Sequence, residues 1–599
     1  MSLKITTKPE AVFNEYKKGN EYKVSIGEKG IFEQSKINER FYVGDQWHGV
    51  QCGNGRPLIR QNIIKRIADF KLSAITAAPI AVNYRADGVP DNAGMRKDIE
   101  SAREQIIGGA DFSGNISDVE VSVITRILSD YFNITAERVR FDFKKEQALR
   151  NAYISGTGIL YTYWDSTIKT GLYADEGKST PIKGDIAFEV LDVENVCFGD
   201  PNCDDVQRQP FIIVSQRLDI SEVRREARRN RISAEEIENI KPDGADTYNA
   251  NSGTRGEQEP KDSQRVTVLT KFYKEWDKEG DTYKVMGVKV CEKAYIRKPW
   301  DTGLTLYPIA KMSWANRRSS IYGDSDITYQ IPNQIALNRA ESAAFWGLMK
   351  SGMPMTVVNG DTITDDITNN PGEVIKVYGT AEDVAGAIRH IQPPAFGSQY
   401  INMINNLASN TLSYNGANDA ALGDIRPDNA AAIIQSREAS LQPIQLLQNS
   451  FYSFIEDVAK IWADFWMHLY GERKLRVENE DGVYYVPFHP QRYENLLLTV
   501  KIDVGSGPIW SLPSNIAILD SLLGAQIIDK IEYLENMPEG VIPNKTKILE
   551  KARQQVAAQE QMMAQQQMME MAGGVNAEQP MPTQIPAEAQ GIPTEVMDI

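Results

Sequence analysis

The sequence has 599 residues, 42% of them hydrophobic and 24% charged, and its 65 Lys and Arg against 81 Asp and Glu give a formal charge of −16. That length allows several domains, or one large body with appended parts, while the acidic balance argues against tight nonspecific capture of nucleic acid through phosphate neutralisation. Cys52, Cys197, Cys203 and Cys291 share no close spacing, and His48, His390, His468 and His489 lie far apart. Neither a disulfide framework nor a zinc site has much to be made from, and no cofactor is expected. Lys4, Lys8, Lys17 and Lys18 punctuate the N-terminus without a hydrophobic run, and no apolar stretch reaches membrane-spanning length. The expectation is a protein made and used in a cytoplasm, with no membrane partner.

In chain order, Phe41, Tyr42, Trp47 and the Gly44-Asp45 pair predict a helix end followed by an aromatic turn. Pro57 opens a run in which Ile63, Ile67, Phe70 and Ala74 share one helical face, and Pro79 closes it. Residues 87–115, rich in Gly and Asp, read as an exposed insertion. The helical period returns from Asp118 to Tyr153, with Val121, Ile124, Leu128 and Tyr131 on one face, and ends at Ser-Gly-Thr-Gly (155–158). Aromatic and β-branched content then predicts strands at 159–164, 186–191 and 211–216, followed by a short basic helix around 221–230.

Residues 241–264 carry almost no large apolar side chain and are expected to form a flexible loop. Strand-like pieces at 265–276, 283–290 and 304–314 suggest a small β-rich module inserted between helices. A helix from about Ser325 to Met349 contains Pro332, which predicts a kink or the first turn of a second segment. A β-rich passage (355–391), a helix (398–414) and a polar interruption (414–431) follow. Beyond Pro443, Ile444, Leu447, Phe451, Phe454, Val458, Ile461, Phe465 and Leu469 step by three or four residues, the mark of a buried helix face. A strand at 498–504, helices at 514–534 and 544–571, and a Pro-containing disordered tail at 572–599 complete the reading.

Chemical motifs are weak. Glu176-Gly177-Lys178-Ser179-Thr180 mimics the end of a phosphate-binding loop, but position 172 is leucine, so the loop lacks its first glycine and a surface turn is expected. Gly156-Thr157-Gly158 precedes a strand rather than opening a helix, which excludes a dinucleotide fingerprint. Acidic pairs such as Asp204/Asp205 and Asp324/Asp326 lack a partner set, and no catalytic constellation assembles. The chain is not expected to be an enzyme. Arg224, Arg225, Arg228, Arg229 and Arg231 form the densest positive patch. It suits phosphates or an acidic protein partner, and equally a solvated helix face balanced by Glu222, Glu226 and Glu235.

The order of these features resembles that of phage portal proteins. The block N-x-R-F-Y-x-G-D-Q-W (38–47), followed by Arg56-Pro57 and Asn62-Ile63-Ile64-Lys65, is similar to the start of that family. So are the helix ending in Ser-Gly-Thr-Gly, the aromatic strand ending in Trp164-Asp165, and the passage from Asp192 to Arg217. Tyr322-Gly323-Asp324-Ser325-Asp326-Ile327, with Gln334 and Asn338 behind it, resembles the helix that lines the portal channel. Ala421-Leu422-Gly423-Asp424 through Ala431, with the long apolar helix behind it, matches the family's loop-plus-helix pattern, and the resemblance spans roughly 38–570.

The resemblance implies an α+β, predominantly helical portal fold with wing, stem, clip and crown around a central channel. Residues 1–218 would form an N-terminal wing, 219–322 the approach to the stem and a β-rich clip, and 323–352 the channel-lining stem helix. Residues 353–505 would hold wing strands, tunnel loop and core helix, with a helical crown at 506–571 and the tail at 572–599. Channel-lining candidates are Gln334, Asn338, Arg339 and Glu341; tunnel-loop candidates are Asn415, Asn418, Asp419, Asp424, Arg426, Asp428 and Asn429. The implied assembly is a homo-oligomeric ring, typically a dodecamer, at one capsid vertex of the virion, built in the host cytoplasm. Its partners would be the major capsid protein, scaffold protein, the terminase large subunit and then a head-tail connector, with double-stranded DNA passing through without sequence specificity. An acidic ring would repel phosphate and let DNA slide. A non-portal virion structural protein, such as an internal core or tail-adaptor component, is the alternative.

Overall fold

A computed structural model describes residues 6–50, 56–77, 80–86, 116–173, 181–243, 264–277, 282–352, 355–361, 363, 376–386, 388–391, 398–417, 442–471, 473–479, 482–488, 498–504, 512–525, 527–528, 530–537 and 548–549. Three helices open the chain: α1 (Pro9–Ser25), α2 (Gly30–Val43) and α3 (Ile63–Thr76). Helix α2 stops because Gly44 takes φ +91°, a left-handed value that glycine adopts without steric cost. Its N–H returns to the Phe41 carbonyl while that of Asp45 returns to Arg40. The side-chain oxygen of Asn62 caps α3 by accepting the Lys65 N–H at 3.1 Å. Ile63, Ile67 and Ala74 are buried and Phe70 is half-buried, on the face expected from their spacing.

Strand β1 (Ile80–Ala86) precedes helices α4 (Ile116–Arg138) and α5 (Phe141–Ser155), which lead into β2 (Thr157–Tyr173) and β3 (Pro181–Leu191). Then come β4 (Val196–Phe198), β5 (Phe211–Asp219), the short helices α6 (Ile220–Arg229) and α7 (Ala234–Glu238), and β6 (Arg265–Asp277), β7 (Thr282–Val290), β8 (Tyr295–Leu304) and β9 (Ile309–Ser313). Two antiparallel sheets result, one ordered β3-β2-β9 and the other β4-β5-β6-β7-β8. Successive strand residues face opposite sides. Val266 and Val268 of β6 accordingly pack against α6 and α7, while Leu269 and Tyr273 pack against Val12, Phe13 and Tyr16 of α1. Both faces of β6 are buried from Val266 to Tyr273, polar Thr267, Thr270 and Lys271 included.

The strands at 265–304 are therefore not a separate insertion. Strand β5 pairs with β6 along its whole length, from Phe211↔Tyr273 to Asp219↔Arg265, so the division expected at 218/219 falls inside a sheet. The strand expected at 304–314 is also divided, between the end of β8 and β9, which pairs with β2 instead. The break is fastened by buried Asp464, which accepts the N–H groups of Thr305 (2.9 Å) and Leu306 (3.0 Å) and the Thr305 hydroxyl (2.7 Å).

Helix α8 (Asp326–Gly352) continues without interruption past Pro332. It is followed by β10 (Met355–Val358), α9 (Ala381–Gly386), β11 (Ile388–Ile391) and α10 (Ser398–Tyr414). Helix α11 (Gln445–Leu469) is the spine of the core. Ile444, Phe451, Phe454, Val458, Ile461 and Phe465 are buried as their spacing predicts. Trp462 and Trp466 add to them, against Phe132, Phe141, Phe188, Tyr84 and Tyr131. Strands β12 (Arg473–Asn479) and β13 (Gly482–Phe488) form a ladder, and β14 (Leu498–Val504) pairs with β1, closing one compact unit that ends at Gly505. The unit beginning at Ser506 contains α12 (Leu512–Gly524) and α13 (Lys530–Asn536), where a single helix over 514–534 was expected. Tyr533 of α13 donates to Asp520 of α12 at 2.6 Å. The fold is a mixture of helix and sheet, and among the described residues no helix is long and apolar enough to cross a membrane. The expected loop at 241–264, the helix at 544–571 and the tail fall largely or wholly outside the described residues.

Candidate functional site

Helices α8 and α10 run antiparallel. Gln330 near the start of α8 donates to Asn415, just past the end of α10, at 2.9 Å. At the other end β10 pairs antiparallel with β11, Met355 opposite Ile391. Leu337 joins Ile63, Ile67 and Ala417 in an apolar cluster bordered by Ile404, Leu407 and Leu412, which fastens both helices to α3.

Where α8 meets the N-terminal helices its inner face is polar. Gln330, Gln334, Asn338 and Ser342 recur every four residues, a spacing that places them on one side of the helix. The Gln334 carboxamide oxygen accepts the Ile63 N–H (3.1 Å), and its nitrogen donates to the Gln61 carbonyl (2.5 Å) and to Asn338 Oδ1 (2.9 Å). Asn338 Nδ2 donates to Gln46 Oε1 at 2.6 Å. Gln46 in turn reaches the Phe41 carbonyl and Asn62, and Asn62 donates to the Tyr42 carbonyl. Ser342 accepts the Ile59 N–H at 3.0 Å, and Trp47 donates its indole N–H to the Ile59 carbonyl at 3.1 Å. The side chains thus bond backbone groups of 59–63, the irregular segment leading into α3, in addition to the bond that the Ile63 N–H makes to the Gln61 carbonyl at 2.9 Å.

A second joint holds the start of α8. Asn38 donates to the Ile154 carbonyl (2.8 Å) and to Thr328 (3.2 Å). Ser325 donates to the Tyr153 carbonyl (2.7 Å), and Thr157 accepts the Gly323 N–H (3.0 Å). Lys71 of α3 bonds Asp326 at 2.5 Å, and Arg317 pairs with Asp324. Gly156 sits at φ +86°, and a Cβ on it would collide with the Gly323 carbonyl; a Cβ on Gly323 would collide with that of Gly156. Burial, and then the nearby Asp326 carboxylate, push the Tyr153 phenol well above its usual range, so it serves as a neutral donor to Gln330 at 3.2 Å.

The motifs at 38–47, 155–158 and 322–338 therefore converge on one structure, the root of α8. Gln334 and Asn338, expected to line a channel, are each 2% exposed and occupied inside the chain, so they offer no side-chain surface to a channel. Arg339 is exposed and Glu341 half-buried; burial raises the Glu341 carboxyl above its usual range. Of the tunnel-loop candidates, Asn415 is half-buried and bonded to Gln330 and to the Thr411 carbonyl. Asn418, Asp419, Asp424, Arg426, Asp428 and Asn429 lie outside the described residues, as does the loop-like motif at 176–180.

The basic patch lies on α6 and just beyond it. Asp219 caps that helix through the Ser221 N–H, and Arg228 and Arg229 stand in its last turn, where the helix dipole favours cations. Arg225, Arg228, Arg229 and Arg231 are exposed, whereas Arg224 is half-buried and donates to the Ile240 carbonyl at 2.8 Å. Glu226, one of the carboxylates expected to balance the patch, instead pairs with Lys289. Asp205 and Asp324 have local work as well, the former capping the Gln207 N–H and the latter holding Arg317.

Asn38, Gln46, Asn62 and Ser342 were not singled out as site residues. Their signal was available in the four-residue recurrence of polar side chains along α8, since buried amides at that spacing require partners.

No curated protein matches this chain. A family model described as the phage SU10 portal protein matches residues 171–473, just over half of the sequence, from the end of β2 through α8, α10 and α11 to β12. The chain belongs to the phage SU10 portal protein family.

Proposed function

We propose that copies of this chain form a closed ring, a dodecamer, at one vertex of a phage capsid, through which double-stranded DNA is packaged and ejected. The observation that carries this reading is the family match, which covers the antiparallel pair α8/α10 and the helix α11 behind it. Two further features support it. Tyr329, Phe345, Leu348 and Met349 of α8 and Tyr400, Ile401 and Met403 of α10 are exposed, a concentration of large apolar side chains that suits contact with further subunits. The chain is also acidic, with formal charge −16, so a ring of such subunits repels phosphate and lets DNA slide.

In this reading α8 and α10 are the stem. The clip is the passage that joins them, 355–391, rather than part of 219–322, because β6 to β8 continue the sheet of the body. Residues 418–431 supply the tunnel loop, and the unit from Ser506 the crown. Arg339 and Glu341 take the channel-facing role, since Gln334 and Asn338 are buried. The body docks to capsid and scaffold proteins. The clip receives the terminase large subunit during filling and a head-tail connector afterwards. The role is structural, without catalysis.

Negative-stain imaging of the purified chain with scaffold and capsid protein, together with particle mass, tests this. Rings with a central hole and a mass near that of a dodecamer are expected. Small particles without a hole under those conditions would instead favour an internal core or adaptor protein.

A further inference from the structure

Between the two sheets of the body lies a cleft of about 770 Å³, floored in part by Phe465 and Leu469 of α11. That volume falls within the range of sites that enclose a small ligand or a few residues of peptide. Its walls combine aromatic faces with carboxylates. Tyr161 and Tyr163 of β2 stack at 5.6 Å between centroids, and Tyr161 also meets Phe272 of β6 at 5.9 Å. Glu189, Glu226 and Asp301 contribute negative charge, and Lys289 and Arg297 positive charge.

The two cations are already committed. Lys289 Nζ bonds both oxygens of Glu226, at 2.9 and 2.7 Å, and the Arg297 guanidinium lies 3.9 Å over the Trp300 ring. Among the described residues the remaining carboxylates have neutral donors: Glu189 accepts from Gln216 at 3.2 Å, and Asp301 from the Gly303 N–H at 2.8 Å. Among the described ion pairs and cation–π contacts, none involves Glu189, Asp301, Tyr161 or Tyr163. Thr162, 1% exposed, also lines the cleft, and its hydroxyl has no hydrogen-bond partner among the described residues. Burial first, then Tyr163, Glu189 and Glu226, raise the Tyr161 phenol well above its usual range.

We infer that this cleft binds an organic cation, a guanidinium or alkylammonium group held over the Tyr161–Tyr163 faces with Glu189 and Asp301 as counter-charges. Arg297 on Trp300 shows the same pairing made within the chain. A cation over an aromatic face gains most where water is partly excluded, which a cleft provides and an open surface does not. The cation comes either from a basic segment of a partner protein or from a free polyamine, and the chemistry recognised is the same. The inference is independent of ring formation.

Calorimetric titration of the full chain with N-acetyl di-arginine amide, spermidine and N-acetyl di-glutamate amide, at one ionic strength, tests it. At least one of the two cations should bind saturably, one per chain, and the di-glutamate should not. The double substitution Glu189→Gln and Asp301→Asn, at two exposed positions, should weaken cation binding at least tenfold. The control Glu235→Gln and Glu238→Gln removes the same charge from α7, outside the cleft, and should leave it unchanged. Tenfold tighter binding of di-arginine than of spermidine identifies a protein-borne cation; equal or weaker binding identifies a polyamine. Absence of saturable cation binding, equal loss in both double variants, or binding of the di-glutamate would overturn the assignment.

Discussion

Replacing Gln334 or Asn338 by alanine should destabilise the body by about 2 kcal/mol each, because each substitution removes several hydrogen bonds from a buried amide network. Removing Asn338 orphans Gln46 Oε1, and removing Gln334 leaves the Ile63 N–H and the Gln61 carbonyl with only their own 2.9 Å bond to each other. The two amides also bond each other at 2.9 Å, so the double variant should lose less than the sum of the singles. Arg339→Ala, one residue along the helix and exposed, should change stability by no more than about 0.5 kcal/mol. Calorimetric unfolding of the four proteins measures all of these. Losses at Gln334 and Asn338 as small as that at Arg339 would mean that these amides are solvated and α8 is not rooted as described.

The second large effect is expected at Gly156. Alanine there meets two penalties: a left-handed backbone at φ +86°, costing roughly 1–2 kcal/mol for a residue with a Cβ, and a collision with the Gly323 carbonyl that only backbone movement can relieve. Together they should cost about 3 kcal/mol or more, measured as a lowered thermal transition or loss of soluble protein. Gly44→Ala is the matched control. Its φ of +91° carries the same conformational penalty, but its nearest contact would be the flexible Asn62 amide at 3.5 Å, so about 1 kcal/mol is expected. Equal losses at the two positions would show that backbone conformation alone, and not the approach of the two loops, constrains Gly156.

Local periodicity carried far in this sequence where one face is buried against the chain's own core. The stripe from Ile444 to Phe465 and the face of α3 lie where their spacing predicts, because burial rewards that pattern directly, and the strands expected at 211–216 and 265–276 are found as 211–219 and 265–277. Pairing between distant strands was not legible. Nothing in the sequence of β6 says that its neighbour is β5, and that long-range choice moved the strands at 265–304 into the body. The division of 304–314 depends on Asp464, some 160 residues away in sequence and without a local signature. At the root of α8 the motifs were visible, but the burial of Gln334 and Asn338 within the chain was not. Gln334 and Asn338 are polar residues on a helix, which reads naturally as a wet channel face. Within the chain they bond Gln46, each other and backbone groups of 61–63, a proximity that no local signal in the sequence announces.

The most direct test of the account is a cryo-electron microscopy map of the assembled particle, read for the elements nearest its axis. The account predicts a closed ring whose hole is bounded by α8, with Arg339 and Glu341 toward the axis and Gln334 and Asn338 enclosed within each subunit. A ring lined instead by the β4–β8 sheet, or particles without an axial hole, would contradict it.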